Sequence, residues 1–231
     1  MKESGFSCML KYLFPKKCIF CESSISADLE LEICERCVSK IPFHTARYLM
    51  ESGPQTEAIN CDRVVCALKY IDPVKGAMMR FKFFQKPEYA KTFSVLLCEK
   101  IKRMEAGTDF HFVSYVPLNK SREKERGYNQ AKLIAGYIAE YFHIPLMDDI
   151  LKRNEASLRQ STLQKNERHR NIKNAFCLNE TKNAEIKGKT ILLVDDIATT
   201  LSTLNTCARI LKESGAAVVI GAVVASALAK E

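Results

Sequence analysis

The last forty residues constrain the fold most. Ile191-Leu-Leu-Val194 is an unbroken apolar run, and Leu204, Cys207, Ala208 and Leu211 then recur on one face of a helix from about Thr200 to Ser214. Gly215 is placed to stop that helix, and Ala216 to Ala225 form a second apolar run. A strand, a helix and a strand in this order make a βαβ unit, and strands that are apolar throughout are buried on both faces. Such units belong to parallel sheets with helices on each side. At 231 residues the chain can hold one α/β domain of this kind with a small attachment.

The preceding sequence fits the same plan. Arg63 to Tyr70, with Val64 and Val65, reads as a strand; Pro73 opens a helix through Phe84, and Pro87 opens another. That second helix carries Leu96, Leu97, Ile101 and Met104 and stops near Gly107. Phe110 to Val116 reads as a strand, Gln130 to Phe142 as a helix and Thr190 to Val194 as a strand. With 47% hydrophobic and 27% charged residues the chain is neither disordered nor fibrous. No apolar run approaches the ~20 residues of a membrane span, so no membrane insertion is expected. Glu3 and Lys11 interrupt the N-terminus too early for a secretory leader, and the expected location is cytoplasmic.

Ten cysteines are many for such a compartment. Cys18 and Cys21 form one C-x-x-C pair and Cys34 and Cys37 another, with residues 22 to 33 between them. Two such pairs supply the four thiolates of a closed structural zinc site, which predicts a zinc ribbon over residues 16–40. So short a segment cannot bury enough apolar surface to fold alone, so the metal would supply most of its folding free energy. Two disulfides, an iron centre and free thiols are the alternatives. The other six cysteines lack metal spacing and are expected as small buried residues. His44 follows Cys37 closely but would be a redundant ligand. The expected division is an N-terminal segment with ribbon and linker over 1–54, punctuated by Pro42 and Ser52-Gly53-Pro54, and an α/β domain over 55–231.

The chemistry concentrates where Val194 runs into Asp195-Asp196 and then into Ile197-Ala-Thr-Thr-Leu-Ser-Thr203. In an open parallel sheet, ligands sit at the carboxyl ends of the strands. Two carboxylates there can accept both hydroxyls of a ribose. The hydroxyls and amides at the start of the next helix suit a phosphate, helped by the helix dipole. The bland alternative is that the acids cap the helix, for which one would suffice.

These residues resemble the type I phosphoribosyltransferases, whose signature for phosphoribosyl pyrophosphate is an apolar strand, two acids and a Thr- and Gly-rich loop. Val116-Pro-Leu118, Arg126-Gly-Tyr-Asn-Gln130, Gln160, Arg170-Asn171 and Ala175-Phe176, behind a four-cysteine ribbon, further resemble the ComF family of competence-associated proteins. The resemblance implies a parallel-sheet type I phosphoribosyltransferase fold with an N-terminal zinc ribbon. It implies that Asp195 and Asp196 hold the ribose and that Ala198, Thr199, Thr200, Leu201, Ser202 and Thr203 wrap the 5′-phosphate. Pro117, Leu118, Asn119 and Lys120 fall at the family's pyrophosphate loop, with Arg122 and Arg126 as cationic partners and Mg²⁺ accompanying the pyrophosphate. Asp195, Asp196 and Arg126 would be the catalytic set if transfer occurs. Leu201 stands where the family pattern has Gly, and a branched side chain suits a close phosphate approach less well.

Two basic stretches point to a further anion. Residues 151 to 175 carry seven basic against two acidic residues, over half of the net charge of +8. They form either a solvated helical face or mobile loop, or else a flap that closes on pyrophosphate or a surface that tracks a nucleic-acid backbone, with Lys165, Arg168 and Arg170 the candidates for the last. Met79 to Tyr89 interleaves Arg80, Lys82 and Lys86 with Phe81, Phe83 and Phe84. Arg80, Lys82, Phe83 and Lys86 are the candidates there, in the pairing of cations and rings that holds single strands, though core packing is the simpler account of such phenylalanines. Three functions follow. One is a ComF-type protein that binds phosphoribosyl pyrophosphate and single-stranded DNA and meets DNA-uptake proteins. The others are a working phosphoribosyltransferase acting on a base or amine, and a DNA-binding module with a vestigial sugar site.

Overall fold

The computed structural model describes residues 15–51, 59–154 and 175–228. The expected linker turn at Ser52-Gly53-Pro54 lies outside these residues, as do Gln160, Lys165, Arg168, Arg170 and Asn171. In chain order the elements are α1 (Glu35–Val38), β1 (Met50–Glu51), β2 (Arg63–Lys69), α2 (Val74–Phe83), α3 (Tyr89–Met104), β3 (Phe112–Tyr115) and α4 (Lys120–Arg126). They continue with α5 (Gln130–Phe142), β4 (Leu151–Arg153), β5 (Phe176–Leu178), α6 (Asn183–Ile186), β6 (Thr190–Ala198), α7 (Ser202–Glu213) and β7 (Val218–Ser226).

The main sheet has the order β1-β2-β7-β6-β3. β2, β7, β6 and β3 are parallel, and the two-residue β1 closes one edge antiparallel to β2. Because successive side chains alternate faces, each apolar strand feeds two cores. Val65, Leu192, Val194 and Ile220 face α2, α3 and α5, meeting Phe81, Phe93, Leu97 and Ile134. Val64, Ile191, Leu193 and Val219 face α7, meeting Leu204, Cys207 and Leu211. β6, α7 and β7 form the expected βαβ unit around a close approach, since Gly221 of β7 lies so near Leu204 that an added Cβ would stand 2.5 Å from Leu204 Cδ2.

The ribbon packs on the first core. Ile19, Phe20 and Ile33 are buried with it, and the Phe20 and Phe93 rings meet edge-on at 6.4 Å. The Arg80 guanidinium donates to the carbonyls of Ile19 and Phe20 at 2.7 and 2.9 Å.

Three expectations change. β6 does not stop at Val194 but runs to Ala198, because its backbone keeps pairing with Val223, Ala225 and Ser226 of β7 past the acidic residues. The stretch opening at Leu151 begins as neither helix nor loop: β4 pairs antiparallel with β5 in a separate hairpin. Of the cysteines expected as packing, Cys61, Cys66, Cys98 and Cys207 are buried, but Cys177 is exposed because it is the outward residue of the three-residue β5. Cys8 lies outside the described residues.

Candidate functional site

The four cysteines of the ribbon converge. Their sulfurs all lie within 4.8 Å of one another. The Cys21 and Cys34 Sγ atoms are 3.6 Å apart, close to the ~3.8 Å that a tetrahedron with 2.3 Å zinc–sulfur bonds requires. Tight turns present them: Glu22 adopts a left-handed φ of 59° and its amide donates to Cys18 O, while Cys37 N and Val38 N donate to Cys34 O. Four thiols in this arrangement could hold a metal ion, and an all-sulfur tetrahedral donor set suits zinc. His44 is not part of the cluster; it is buried.

At the far end of β6, backbone pairing fixes Asp195 and Asp196 on opposite faces of the strand. Asp195 Oδ1 accepts from Asp196 N at 2.8 Å, and Asp196 Oδ1 accepts from Ile197 N at 2.6 Å. Neither carboxylate caps α7, whose N-cap residue Leu201 provides no side-chain hydrogen bond, so the helix-capping account is set aside. Burial and the adjacent Asp196 carboxylate push Asp195 up to about 7, while Lys82 and Arg153 pull against that rise. The following turn has Thr199 and Thr200 exposed, with Ser202 and Thr203 partly so.

Leu201 is accommodated. Its φ of −83° is an ordinary right-handed value, so the backbone here does not need glycine, and its side chain packs against the α7 core.

The expected pyrophosphate loop leaves β3 directly. The Asn129 side chain caps α5 and donates to Val116 O at 3.2 Å, tying that helix to the end of the strand. Asn119 accepts from Ser121 N at 2.7 Å and starts α4, which carries Lys120, Arg122 and Arg126. Pro117, Leu118 and Lys120 line a cleft of about 400 Å³ whose opposite wall is Leu151, Lys152 and Arg153 of the hairpin.

Two cations that the sequence marked for another role or passed over lie here. Lys82, singled out for nucleic acid, pairs with Asp196, its Nζ 3.0 and 2.8 Å from the two carboxylate oxygens. Arg153, counted only as part of a basic stretch, lies 5.2 Å from the Phe176 ring, with its Nε buried and without a hydrogen-bond partner among the described residues. Burial and the nearby Arg122 push its pKa below the usual guanidinium value, and the Asp195 carboxylate pulls against them. The remaining candidates divide. Arg80 is committed to the ribbon carbonyls and Lys86 pairs with Glu88 at 3.5 Å. Phe81 is buried, but Phe83 and Phe84 are 51% and 66% exposed, and the Arg126 guanidinium lies 4.9 Å over the Phe83 ring. A cation stacked on an exposed ring beside a second exposed ring is a surface on which a base could stack.

Residues 129–231 match the model of the phosphoribosyl transferase domain. Competence protein F of Haemophilus influenzae is 30% identical over 208 residues, covering 86% of this chain and 85% of that protein. Competence protein ComFC of Bacillus subtilis is 32% identical over 87% of this chain and 90% of its own length. The chain belongs to the ComF family. Another relative of this ComF chain, the DNA utilization protein YhgH of Escherichia coli, is 30% identical over 68% of this chain and 69% of its own. The fold is thus a type I phosphoribosyltransferase sheet with a four-cysteine ribbon, and the domain match begins at Asn129, which anchors α5 to the end of β3. Among the described residues no helix is long and apolar enough to cross a membrane.

Proposed function

We propose that this chain binds phosphoribosyl pyrophosphate with Mg²⁺ and single-stranded DNA, and serves DNA uptake as its competence-protein relatives are named for. The observation that carries the reading is the acid pair at the end of β6. It is followed by hydroxyl-bearing residues and a helix start that no side chain caps, and β6 pairs with β3, whose following loop lines a cleft. Asp195 and Asp196 accept from the ribose hydroxyls, while residues 198–203 take the 5′-phosphate at the amide-rich start of α7. Pro117 to Lys120, Arg122 and Arg126 receive the pyrophosphate. Mg²⁺ would neutralise part of its charge through phosphate oxygens and water. Any transfer would follow from holding the ribose and the leaving group in register, with no protein nucleophile. DNA would stack on Phe83 and Phe84 beside Arg126.

Calorimetric titration of phosphoribosyl pyrophosphate with Mg²⁺ is the test. Binding by the wild type that is abolished in Asp195→Asn/Asp196→Asn supports the site, and no heat in the wild type removes it. A single-stranded oligonucleotide should bind with a steep salt dependence and more weakly to Phe83→Ala/Phe84→Ala; a flat salt slope would refute backbone contact.

A further inference from the structure

The Lys82 to Asp196 pair joins a helix near the ribbon to a strand 114 residues later, and it lies in the middle of the site. Both side chains are mostly covered, at 18% and 13% exposure, so the contact is not a solvent-screened surface bridge. Its effect on the two acids is unequal. Asp196 takes Lys82 on both oxygens and Ile197 N on one. Asp195 takes only Asp196 N, on Oδ1, and no donor among the described residues reaches its Oδ2.

We propose that Lys82 is a positioning residue of the sugar-phosphate site: by holding Asp196 it splits the adjacent carboxylates into a fixed, neutralised one and an open one, Asp195. This rests on the sugar-phosphate reading above for its ligand, but the division of the two acids exists without it. Two carboxylates on neighbouring residues repel each other, and an ammonium on one relieves the other. The charged and titratable groups that face Asp195 are Asp196 on its own strand, Lys82 from α2, Arg153 from β4 and Cys207 from α7. With Lys82 in place, Asp195 gives up its proton at lower pH and keeps one oxygen open to a ribose hydroxyl. Without it, Asp195 holds its proton to higher pH and competes less well for that hydroxyl.

The experiment compares wild type with Lys82→Met, Lys82→Gln and Lys82→Arg. Carbon-detected NMR of the ligand-free protein follows the Asp195 carboxylate with pH. The midpoint should rise by about one pH unit or more in Lys82→Met and Lys82→Gln, and return near the wild-type value in Lys82→Arg. Phosphoribosyl pyrophosphate with Mg²⁺, titrated at pH 6 to 9, should bind the neutral variants about tenfold more weakly at pH 7, recovering as pH rises, with Lys82→Arg near wild type. Lys82→Gln keeps the assay usable if Lys82→Met does not fold. An unchanged Asp195 midpoint in both neutral variants would overturn the proposal. So would weaker binding that does not recover with pH and is equally severe in Lys82→Arg. If the wild type binds no phosphoribosyl pyrophosphate, the functional reading fails while the NMR comparison still decides the role of Lys82.

Discussion

Between Cys18 and Ile41 the chain has one helix of four residues and buries Ile19, Phe20, Ile33 and Ile41 in one core, whereas β6 and β7 are nine residues long, apolar over residues 191–194 and 218–225, and covered on both faces. The first region has order because four sulfurs meet; the second because each strand is buried twice. A short segment with an external cross-link can be strongly held and still fold conditionally, while a buried sheet is held by many small terms and fails all at once.

The largest expected effect comes from removing a thiol. Cys34→Ser should abolish tight zinc binding and with it most of the metal's contribution to ribbon order, a term of about 10–16 kcal/mol in small zinc domains. Metal analysis should find zinc lost, and hydrogen exchange should find protection lost over residues 16–40 but kept in β6 and β7. Equal loss in both would mean that the two regions fold as one. Next is Leu193→Ala, which empties a fully buried position between β6 and α7 and should lower global stability by about 2–5 kcal/mol in denaturant titration, with one cooperative transition and zinc retained.

The smallest is a pH effect. Asp195 is pushed up to about 7 in the fold, so the folded chain gains relative stability from the bound proton at low pH and loses it as pH rises through that value. Asp195→Asn should therefore raise the melting temperature most at pH 8, with the gain shrinking toward pH 4. A gain that is the same at both ends would refute the assigned burial effect.

The sequence made the buried parts plain and the contacts between distant parts obscure. The βαβ unit, the α5 span and the helix from Pro73 were legible because apolar periodicity reports burial, and burial is what formed them. The cysteine spacing was legible because ligand geometry acts over a few residues. The end of β6 was not, since strand pairing is a backbone property that continues through Asp195 and Asp196 despite their charge. β4 and β5 have three residues each and carry Lys152 and Arg153, too little for a pattern to form. Lys82 read as a nucleic-acid residue because its neighbours are phenylalanines, and its contact with Asp196 on another element left no local signal. Leu201 looked like a misfit in the sequence, yet its negative φ and packed side chain explain how it fits.

Helix α2 carries Arg80 to the ribbon carbonyls beside Cys18 and Cys21, and Lys82 to Asp196. Residues two apart on a helix point to nearly opposite sides, so the helix works as a rocker with one arm on the metal knot and the other on the acid pair. A rigid rocker cannot tilt at one end alone. Loss or oxidation of the thiols would then be felt at the Asp195 and Asp196 pair, and by reciprocity a change in that pair's contacts would be felt at the four sulfurs.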